Sequence, residues 1–490
     1  MRRLIFGLIL LVLTTAAISC SSAVDGTITI KGKITCMGRG VADVFVTDGE
    51  RGTTTLPNGS YTLSTHSDRT FIYYTLPQGY NSPLESGIPI FYKKIEEAQK
   101  SKWASAAKID FELLKSEQDF SRHMFVVWAD PQVIEPAELE LLGEVAEDIN
   151  RIISSEQYKN IPVHGICAGD IVFDKPELFS PYKEVVSTLG IPFYQSLGNH
   201  DMDYTGITEE SSVKSYQNAF GPAYYSFNRG DMHYIVLDNV FYYGYSYQYM
   251  GYIDQRQLDW LKLNLSHVKP GSTVFVTLHI PTRYGESPSN PSLIQLQRES
   301  VVNNKALYSL FEGYNVHILA GHSHTQWNTI ISESIMEHTH AAASAAWWQG
   351  PVGLDGTPQG YTIYTVDKGV VEWSFKGVGK ELSHQFRSYP VGADPLYPTE
   401  FIVNVFNYDP LWRVEWYEDN ELMGEMERFY GEDPLAKRLY VPGENKRYNW
   451  LGVGKTYHLF KAKPQKRGSK IRVEVTDRFN KKFTEDLVTL

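Results

Sequence analysis

Polar residues that can bind metal ions follow five apolar segments in the middle of the chain. In order, they are Asp130-Pro131-Gln132, Gly169-Asp170, Gly198-Asn199-His200-Asp201, His279 and Gly321-His322-Ser323-His324. Each set comes directly after a short apolar run, such as 125–129, with the composition of a buried strand. In an open α/β sheet, ligands bind beyond the carboxyl ends of the strands. We therefore expect these side chains to converge on one site.

The residue types in these motifs suit a site for two metal ions. A carboxylate can bridge two cations that lie about 3.5–4 Å apart, as two-metal hydrolases require. Imidazole and carboxylate ligands together suit manganese, iron or zinc. Such a pair of ions can orient a phosphoryl group and lower the pKa of a bound water molecule. The pattern therefore points to phosphate chemistry with two metal ions, either Mn²⁺, Fe or Zn²⁺.

The segments between the motifs alternate between strand and helix, which predicts a layered α/β domain. Amphipathic spacing predicts helices at 136–155, 177–189 and 254–268. On either side, period-two alternation and turn residues predict β-structure. We therefore expect a β-sandwich over 24–118, an α/β domain over 119–380 and a β-rich domain over 385–490.

The first residues have the pattern of an export signal. Arg2 and Arg3 precede an apolar run at 4–18, and small residues lead to Cys20. We expect residues 1–20 to be a lipoprotein signal that ends at Cys20, whose thiol is acylated. An ordinary signal peptide cut nearby is the alternative. The predicted location is outside the cytoplasm on a lipid anchor, in the periplasm or at the cell surface. The net charge of -11 gives no basic footprint for nucleic acid.

Together, the ordered motifs resemble those of the calcineurin-like metallophosphoesterase family over roughly residues 121–380. The flanking domains resemble the N- and C-terminal accessory domains of a bacterial lipoprotein branch of that family, and the first is also similar to transthyretin-like modules. The resemblance implies a four-layer α/β/β/α core. It also implies hydrolysis of a phosphate ester by a metal-bound hydroxide in a binuclear site.

The resemblance further implies a role for each motif residue. Asp130 and His324 would hold the first metal ion, and Asp170 would bridge the two ions. Asn199, His279 and His322 would hold the second. His200 would stabilise the transition state and help protonate the leaving oxygen, while Asp201 would orient His200.

One motif residue departs from the family pattern. The usual first motif is Asp-x-His, but Gln132 stands in place of the histidine. A glutamine carbonyl oxygen is a neutral and weaker ligand, so the first site would be weaker or prefer a harder cation. Gln132 is a candidate ligand, and its role as a bystander stays open.

Three further residues are candidates for substrate contact: Arg283, Trp347 and Trp348. Arg283 follows His279 closely enough to reach a phosphate, with a solvated loop residue as the alternative. The two tryptophans are adjacent, so on a strand one would face the core and the other the pocket. Bulky aromatic residues favour a phosphodiester slightly over a phosphomonoester, carried by a small molecule, lipid or glycan. The alternative function is a surface binding or scaffold lipoprotein with a degenerate core, which only Gln132 favours.

Overall fold

The computed structural model describes residues 26–96, 107–285, 290–348, 350–441 and 448–488. The predicted signal segment and Cys20 lie outside these residues, so their role stays a prediction. None of the helices in the described ranges is both long and apolar enough to span a membrane.

The N-terminal region consists of short strands that form two main sheets. In one, β1 pairs with β5, β2, β11 and β12, and in the other the order is β10-β6-β3-β4. Side chains buried in this region include Ile30, Ile34, Val46 and Ile72. The strands are β1 (Thr27–Cys36), β2 (Arg39–Gly40), β3 (Phe45–Thr47), β4 (Gly52–Thr54), β5 (Ser60–His66), β6 (Phe71–Tyr74), β7 (Tyr80–Asn81), β8 (Leu84–Glu85), β9 (Ile88–Pro89), β10 (Tyr92–Lys94), β11 (Ala107–Lys108), β12 (Phe111–Glu112) and β13 (Leu114–Lys115).

The central region alternates strands and helices. Its elements are β14 (Arg122–Trp128), α1 (Leu139–Ile153), β15 (Val163–Cys167), α2 (Phe179–Ser187), β16 (Phe193–Gln195), α3 (Glu209–Ser212), α4 (Lys214–Phe220), β17 (Tyr225–Arg229), β18 (Met232–Val236), β19 (Val240–Tyr242), β20 (Tyr249–Gly251), α5 (Gln255–Leu265), β21 (Thr273–Thr277), α6 (Leu293–Glu299), α7 (Asn304–Leu310), β22 (Asn315–Ala320), β23 (Trp327–Ile330), β24 (Ile335–Thr339), β25 (Gly360–Asp367) and β26 (Val370–Gly377).

Except for the separate pair β19-β20, these strands form two mixed sheets. The first has the order β16-β15-β14-β25-β26, and the second has the order β17-β18-β21-β22-β24-β23. Strands β14, β15 and β16 run parallel to one another, as do β18, β21, β22 and β24. The carboxyl ends of β14, β15 and β16 therefore lie at one edge of the first sheet, and those of β21 and β22 lie at one edge of the second.

Alternate side chains of the central strands pack in opposite directions. Phe125 on β14 contacts Phe275 on β21, with ring centroids 4.9 Å apart, so the two sheets face each other. On the other face of β14, Val126 belongs to the same buried cluster as Leu142 of α1. On the second sheet, Val276 clusters with Trp260 of α5. The predicted four-layer core is confirmed, because each sheet has helices on its outer face.

The C-terminal region contains two antiparallel four-stranded sheets, β27-β28-β32-β31 and β30-β29-β33-β34. Buried residues Val403, Trp416 and Val473 belong to the cluster that joins the two sheets. The prediction of a β-rich end to the chain is confirmed. The elements are β27 (Phe386–Tyr389), β28 (Phe401–Val405), β29 (Arg413–Glu418), β30 (Glu421–Glu425), β31 (Glu427–Glu432), α8 (Pro434–Leu439), β32 (Lys455–Ala462), β33 (Lys470–Thr476) and β34 (Lys482–Val488).

Candidate metal centre

One group of candidate ligand atoms surrounds the imidazole of His279, just beyond the end of β21. His279 Nε2 lies 3.1 Å from Asn199 Oδ1, 3.2 Å from Asp170 Oδ1 and 3.2 Å from His322 Nδ1. Ligands about 2.0–2.2 Å from one cation are separated from one another by distances of this size. These four side chains therefore fit a single metal ion.

A second group of ligand atoms shares Asp170 with the first. Ligand atoms of Asp130, Asp170 and His324 lie within 4.8 Å of one another. His324 Nε2 is 3.4 Å from Asp130 Oδ1. It is buried and has no hydrogen-bond partner among the described residues. A buried imidazole nitrogen without a partner is costly unless it binds something, so this group also fits a cation.

Gln132 lies at the same edge as these ligands. Its side-chain Nε2 donates a hydrogen bond of 2.6 Å to Asp170 Oδ2. Its Oε1 is buried and accepts no hydrogen bond within the described parts of the chain. The carbonyl oxygen is therefore available as a ligand, and coordination by Gln132 stays a prediction.

Local hydrogen bonds fix which ring nitrogen of His279 and of His322 faces the site. The Nδ1–H of His279 donates to the carbonyl of Ala168 at 2.9 Å, so Nε2 is left for a metal ion. In His322 the other nitrogen is engaged: its Nε2 lies 3.0 Å from the carbonyl of Arg298 and 3.5 Å from Glu299. Nδ1 of His322 is therefore left for a metal ion. Such outer contacts orient metal-binding imidazoles and set their tautomer.

The backbone at the strand ends is unusual at most of the candidate ligands. Left-handed φ angles occur at Asp130 (49°), Gln132 (38°), Asp170 (51°), His322 (68°) and His324 (58°). Conformations of this kind cost of the order of 1–3 kcal/mol each for residues other than glycine. The surrounding fold therefore holds these side chains inward at the expense of backbone strain, as functional sites often do.

Two glycines make room for the ligands. Gly169 has a φ of +90°, and a Cβ there would lie 2.5 Å from Nδ1 of His279. A Cβ on Gly198 would lie 2.2 Å from Oδ1 of Asp170. Both positions require glycine because the backbone passes directly beside a ligand side chain.

His200 lies beside the candidate ligands and remains accessible. Its backbone N–H donates to Asp170 Oδ1 at 2.8 Å, which ties its position to the shared carboxylate. Its ring Nδ1–H donates to Asp174 Oδ1 at 2.8 Å. The side chain is 22 % exposed, so a substrate can reach it.

The prediction that Asp201 orients His200 is wrong. The Asp201 carboxylate instead accepts the backbone N–H groups of Val172 at 3.0 Å and Gly198 at 2.9 Å. The cause is the 3₁₀ turn Asn199–Asp201, which directs consecutive side chains to different sides. Asp174 takes the orienting position, and its own N–H donates to the carbonyl of His200 at 2.9 Å.

The electrostatics of the centre favour positive charge. Burial alone would raise the pKa of Asp170, but positive charge on His279 and His200 outweighs it and lowers that pKa. Burial would lower the pKa of His279, yet the carboxylates of Asp170 and Asp130 raise it to about 9. The buried carboxylates therefore draw cations into the site.

The three candidate substrate residues occupy different positions. The Trp347 ring stacks on His324 with centroids 3.6 Å apart, so it lies at the centre. Trp348 is half-buried. Arg283 is exposed, and it lies close enough to Glu337 to affect the pKa of that carboxyl. Substrate contact by any of the three stays a prediction.

Asp174, Phe173 and Trp450 lie near the centre although the sequence motifs assign them no role. Phe173 stacks on His200 with centroids 4.0 Å apart, and Trp450 contacts Phe173 at 5.8 Å. Asp174 follows a motif aspartate closely, which is the one signal in the sequence that could have singled it out. The position of Trp450 depends on how the C-terminal region packs against the core.

Three family models match consecutive parts of the chain. The family model described as calcineurin-like phosphoesterase matches residues 125–326. Models for the N-terminal and C-terminal parts of calcineurin-like phosphoesterase match residues 28–116 and 337–483. No curated protein gives a significant match to the chain.

Several solved structures are similar to the chain at low sequence identity. A dimetal phosphatase from Danio rerio is 14% identical, with 52% of this chain and 96% of that chain covered and a TM-score of 0.36. Purple acid phosphatase PPD1 from yellow lupin (Lupinus luteus) seeds is 14% identical, with 69% and 68% covered and a TM-score of 0.41. A 5'-nucleotidase from Candida albicans is 14% identical, with 54% and 52% covered and a TM-score of 0.31.

The fold and the centre define a metal-dependent hydrolase of phosphate esters. The chain belongs to the calcineurin-like phosphoesterase family and carries that family's N- and C-terminal accessory regions. It is therefore a metallophosphoesterase.

Gln132 provides a test of the first metal position. We expect Gln132→His to tighten binding of the more weakly held Zn²⁺ ion, because imidazole is a stronger ligand than an amide oxygen. The measurement is a competition titration with a coloured chelator. Gln132→Leu should weaken the same ion. Unchanged affinity in both variants would place Gln132 outside the coordination shell.

Proposed function

We propose that this metallophosphoesterase hydrolyses a phosphodiester at a binuclear metal centre outside the cytoplasm. The proposal of a binuclear centre is supported by the carboxylate of Asp170, which belongs to both groups of candidate ligand atoms. Asp130, Gln132 and His324 would hold one ion beside it, and Asn199, His279 and His322 would hold the other. The chemistry that bound metal ions supply is neutralisation of phosphate charge and activation of water.

The part of His200 follows from its hydrogen bonds. Because Nδ1 donates to Asp174, Nε2 is the ring nitrogen that remains for a substrate. Burial lowers the pKa of His200, but the carboxylates of Asp170 and Asp174 outweigh that effect and raise it. A protonated Nε2 can stabilise negative charge on the phosphoryl group and give its proton to the leaving oxygen.

The preference for a diester is supported by the aromatic residues beside the centre. Phe173 packs on His200 and Trp347 packs on His324, so apolar rings flank the site on two sides. A diester carries a second substituent that such surfaces can cover. The natural ester would belong to a small molecule, a lipid or a glycan.

The location is supported by the sequence alone. The basic and apolar segments before Cys20 have the form of a lipoprotein signal, with acylation at that cysteine. A lipid anchor would hold the enzyme at the outer face of a membrane, in the periplasm or at the cell surface.

Metal reconstitution tests the proposed reaction. The full chain, stripped with a chelator, should regain hydrolysis of bis(p-nitrophenyl) phosphate when Mn²⁺, Zn²⁺ or Fe²⁺ is added singly. We expect a higher kcat/KM for this diester than for p-nitrophenyl phosphate. A higher value for the monoester would overturn the diester preference. Absence of hydrolysis from protein that holds two ions per chain would overturn hydrolysis of such esters altogether.

Substitutions at His200 and Asp174 test the assigned roles. His200→Asn should lower kcat by about 10²–10⁴-fold, because the general acid is lost. Asp174→Asn should lower kcat by about 10–100-fold, because the ring loses its charged partner. Metal content, measured by plasma mass spectrometry, should stay unchanged in both variants.

Asp201→Asn is the matched control for Asp174→Asn. Asp201 is fully buried, and its carboxylate accepts hydrogen bonds from the backbone N–H groups of Val172 and Gly198. A folded Asp201→Asn enzyme should keep more activity than Asp174→Asn. The reverse order would return the orienting role to Asp201.

A further inference from the structure

A continuous row of aromatic rings joins His200 to the candidate ligand His324. Phe173 stacks on His200 at 4.0 Å, and Trp450 lies 5.8 Å from Phe173. Trp450 then contacts Trp347 at 5.1 Å with the rings nearly perpendicular, and Trp347 stacks on His324 at 3.6 Å. Trp450 is the central member of this row, and it comes from the C-terminal region.

The segment that carries Trp450 is anchored to the core on both sides of the tryptophan. The Tyr448 hydroxyl donates to Glu138 Oε1 at 2.7 Å, directly before helix α1. Leu451 is buried in a cluster with Val352 and Tyr440. These contacts hold the Trp450 backbone in place beside the metal centre.

Trp450 is nevertheless 51% exposed as a residue. Its neighbours Phe173, Trp347 and Tyr448 contact parts of the ring, while the remaining surface faces solvent. An indole held by its neighbours with an open surface is a suitable platform for another planar ring. The fixed position matters because a pre-ordered platform loses little conformational entropy when a ring binds.

We propose that Trp450 determines substrate specificity by stacking on a planar ring attached to the leaving oxygen of the phosphoester. The inference rests on the proposed function, in which His200 protonates that oxygen. The ring of Phe173 lies between His200 and Trp450. A planar ring attached to the leaving oxygen beside His200 would therefore extend toward the indole of Trp450. The preferred substrates are therefore esters of aryl or other planar ring-bearing alcohols rather than of small alkyl alcohols.

Two phosphonates test this proposal by binding rather than by turnover. In benzylphosphonate and ethylphosphonate a CH₂ group replaces the ester oxygen, so neither is hydrolysed, and only the first carries a ring. Dissociation constants would be measured by calorimetry on the Mn²⁺-loaded full chain. The wild-type chain should bind benzylphosphonate more tightly than ethylphosphonate.

Substitution of Trp450 should affect only the ring-bearing ligand. We expect Trp450→Ala to raise the dissociation constant of benzylphosphonate about tenfold, because one stacking partner is lost. The dissociation constant of ethylphosphonate should stay within about twofold of the wild-type value. Trp450→Phe should raise the dissociation constant of benzylphosphonate by a smaller factor than Trp450→Ala. Tyr417→Ala is the control, because Tyr417 is a half-buried aromatic residue on β29 that contacts Arg472. It should change neither constant.

The outcomes separate this proposal from the proposed function. If wild-type protein binds both phosphonates equally, or if Trp450→Ala weakens both by the same factor, the stacking role is overturned while the phosphate site stands. If the metal-loaded wild-type chain binds neither phosphonate but hydrolyses bis(p-nitrophenyl) phosphate, the stacking role alone is overturned. If it also fails to hydrolyse that diester, the phosphate site is overturned, and the specificity proposal with it.

Discussion

The buried carboxylate of Asp170 is the group on which the rest of the centre depends. It has no exposed surface, so its charge requires partners within the protein or bound cations. His279 Nε2 lies beside Oδ1, the His200 N–H donates to the same oxygen, and Gln132 donates to Oδ2. One carboxylate thus fixes the spacing of both groups of candidate ligands and the position of His200.

The candidate ligands come from both sheets of the core, and the C-terminal region contacts the residues beside them. Asp170 follows a strand of the first sheet, whereas His279 follows a strand of the second, so neither sheet alone forms the centre. The glycines and left-handed residues at the strand ends then bring the side chains within contact distance. Through Trp450, the C-terminal region contacts Phe173 and Trp347 beside this centre.

The sequence predicts the core well because its signals are local. Apolar runs followed by Asp, Asn or His mark the strand ends, and parallel strands bring such ends together. The partner of His200 could not be predicted in this way, since Asp201 is adjacent in sequence but the 3₁₀ turn directs it elsewhere. The place of Trp450 depends on packing between regions far apart in the chain, for which no local pattern exists.

The proposed mechanism depends on two metal ions that share Asp170. The most direct measurement is anomalous X-ray diffraction from crystals of the full chain soaked in Mn²⁺. The account predicts two peaks, one among Asn199, His279 and His322 and one beside Asp130 and His324, with the Asp170 carboxylate between them. A single peak, or two peaks that do not share Asp170, would contradict it.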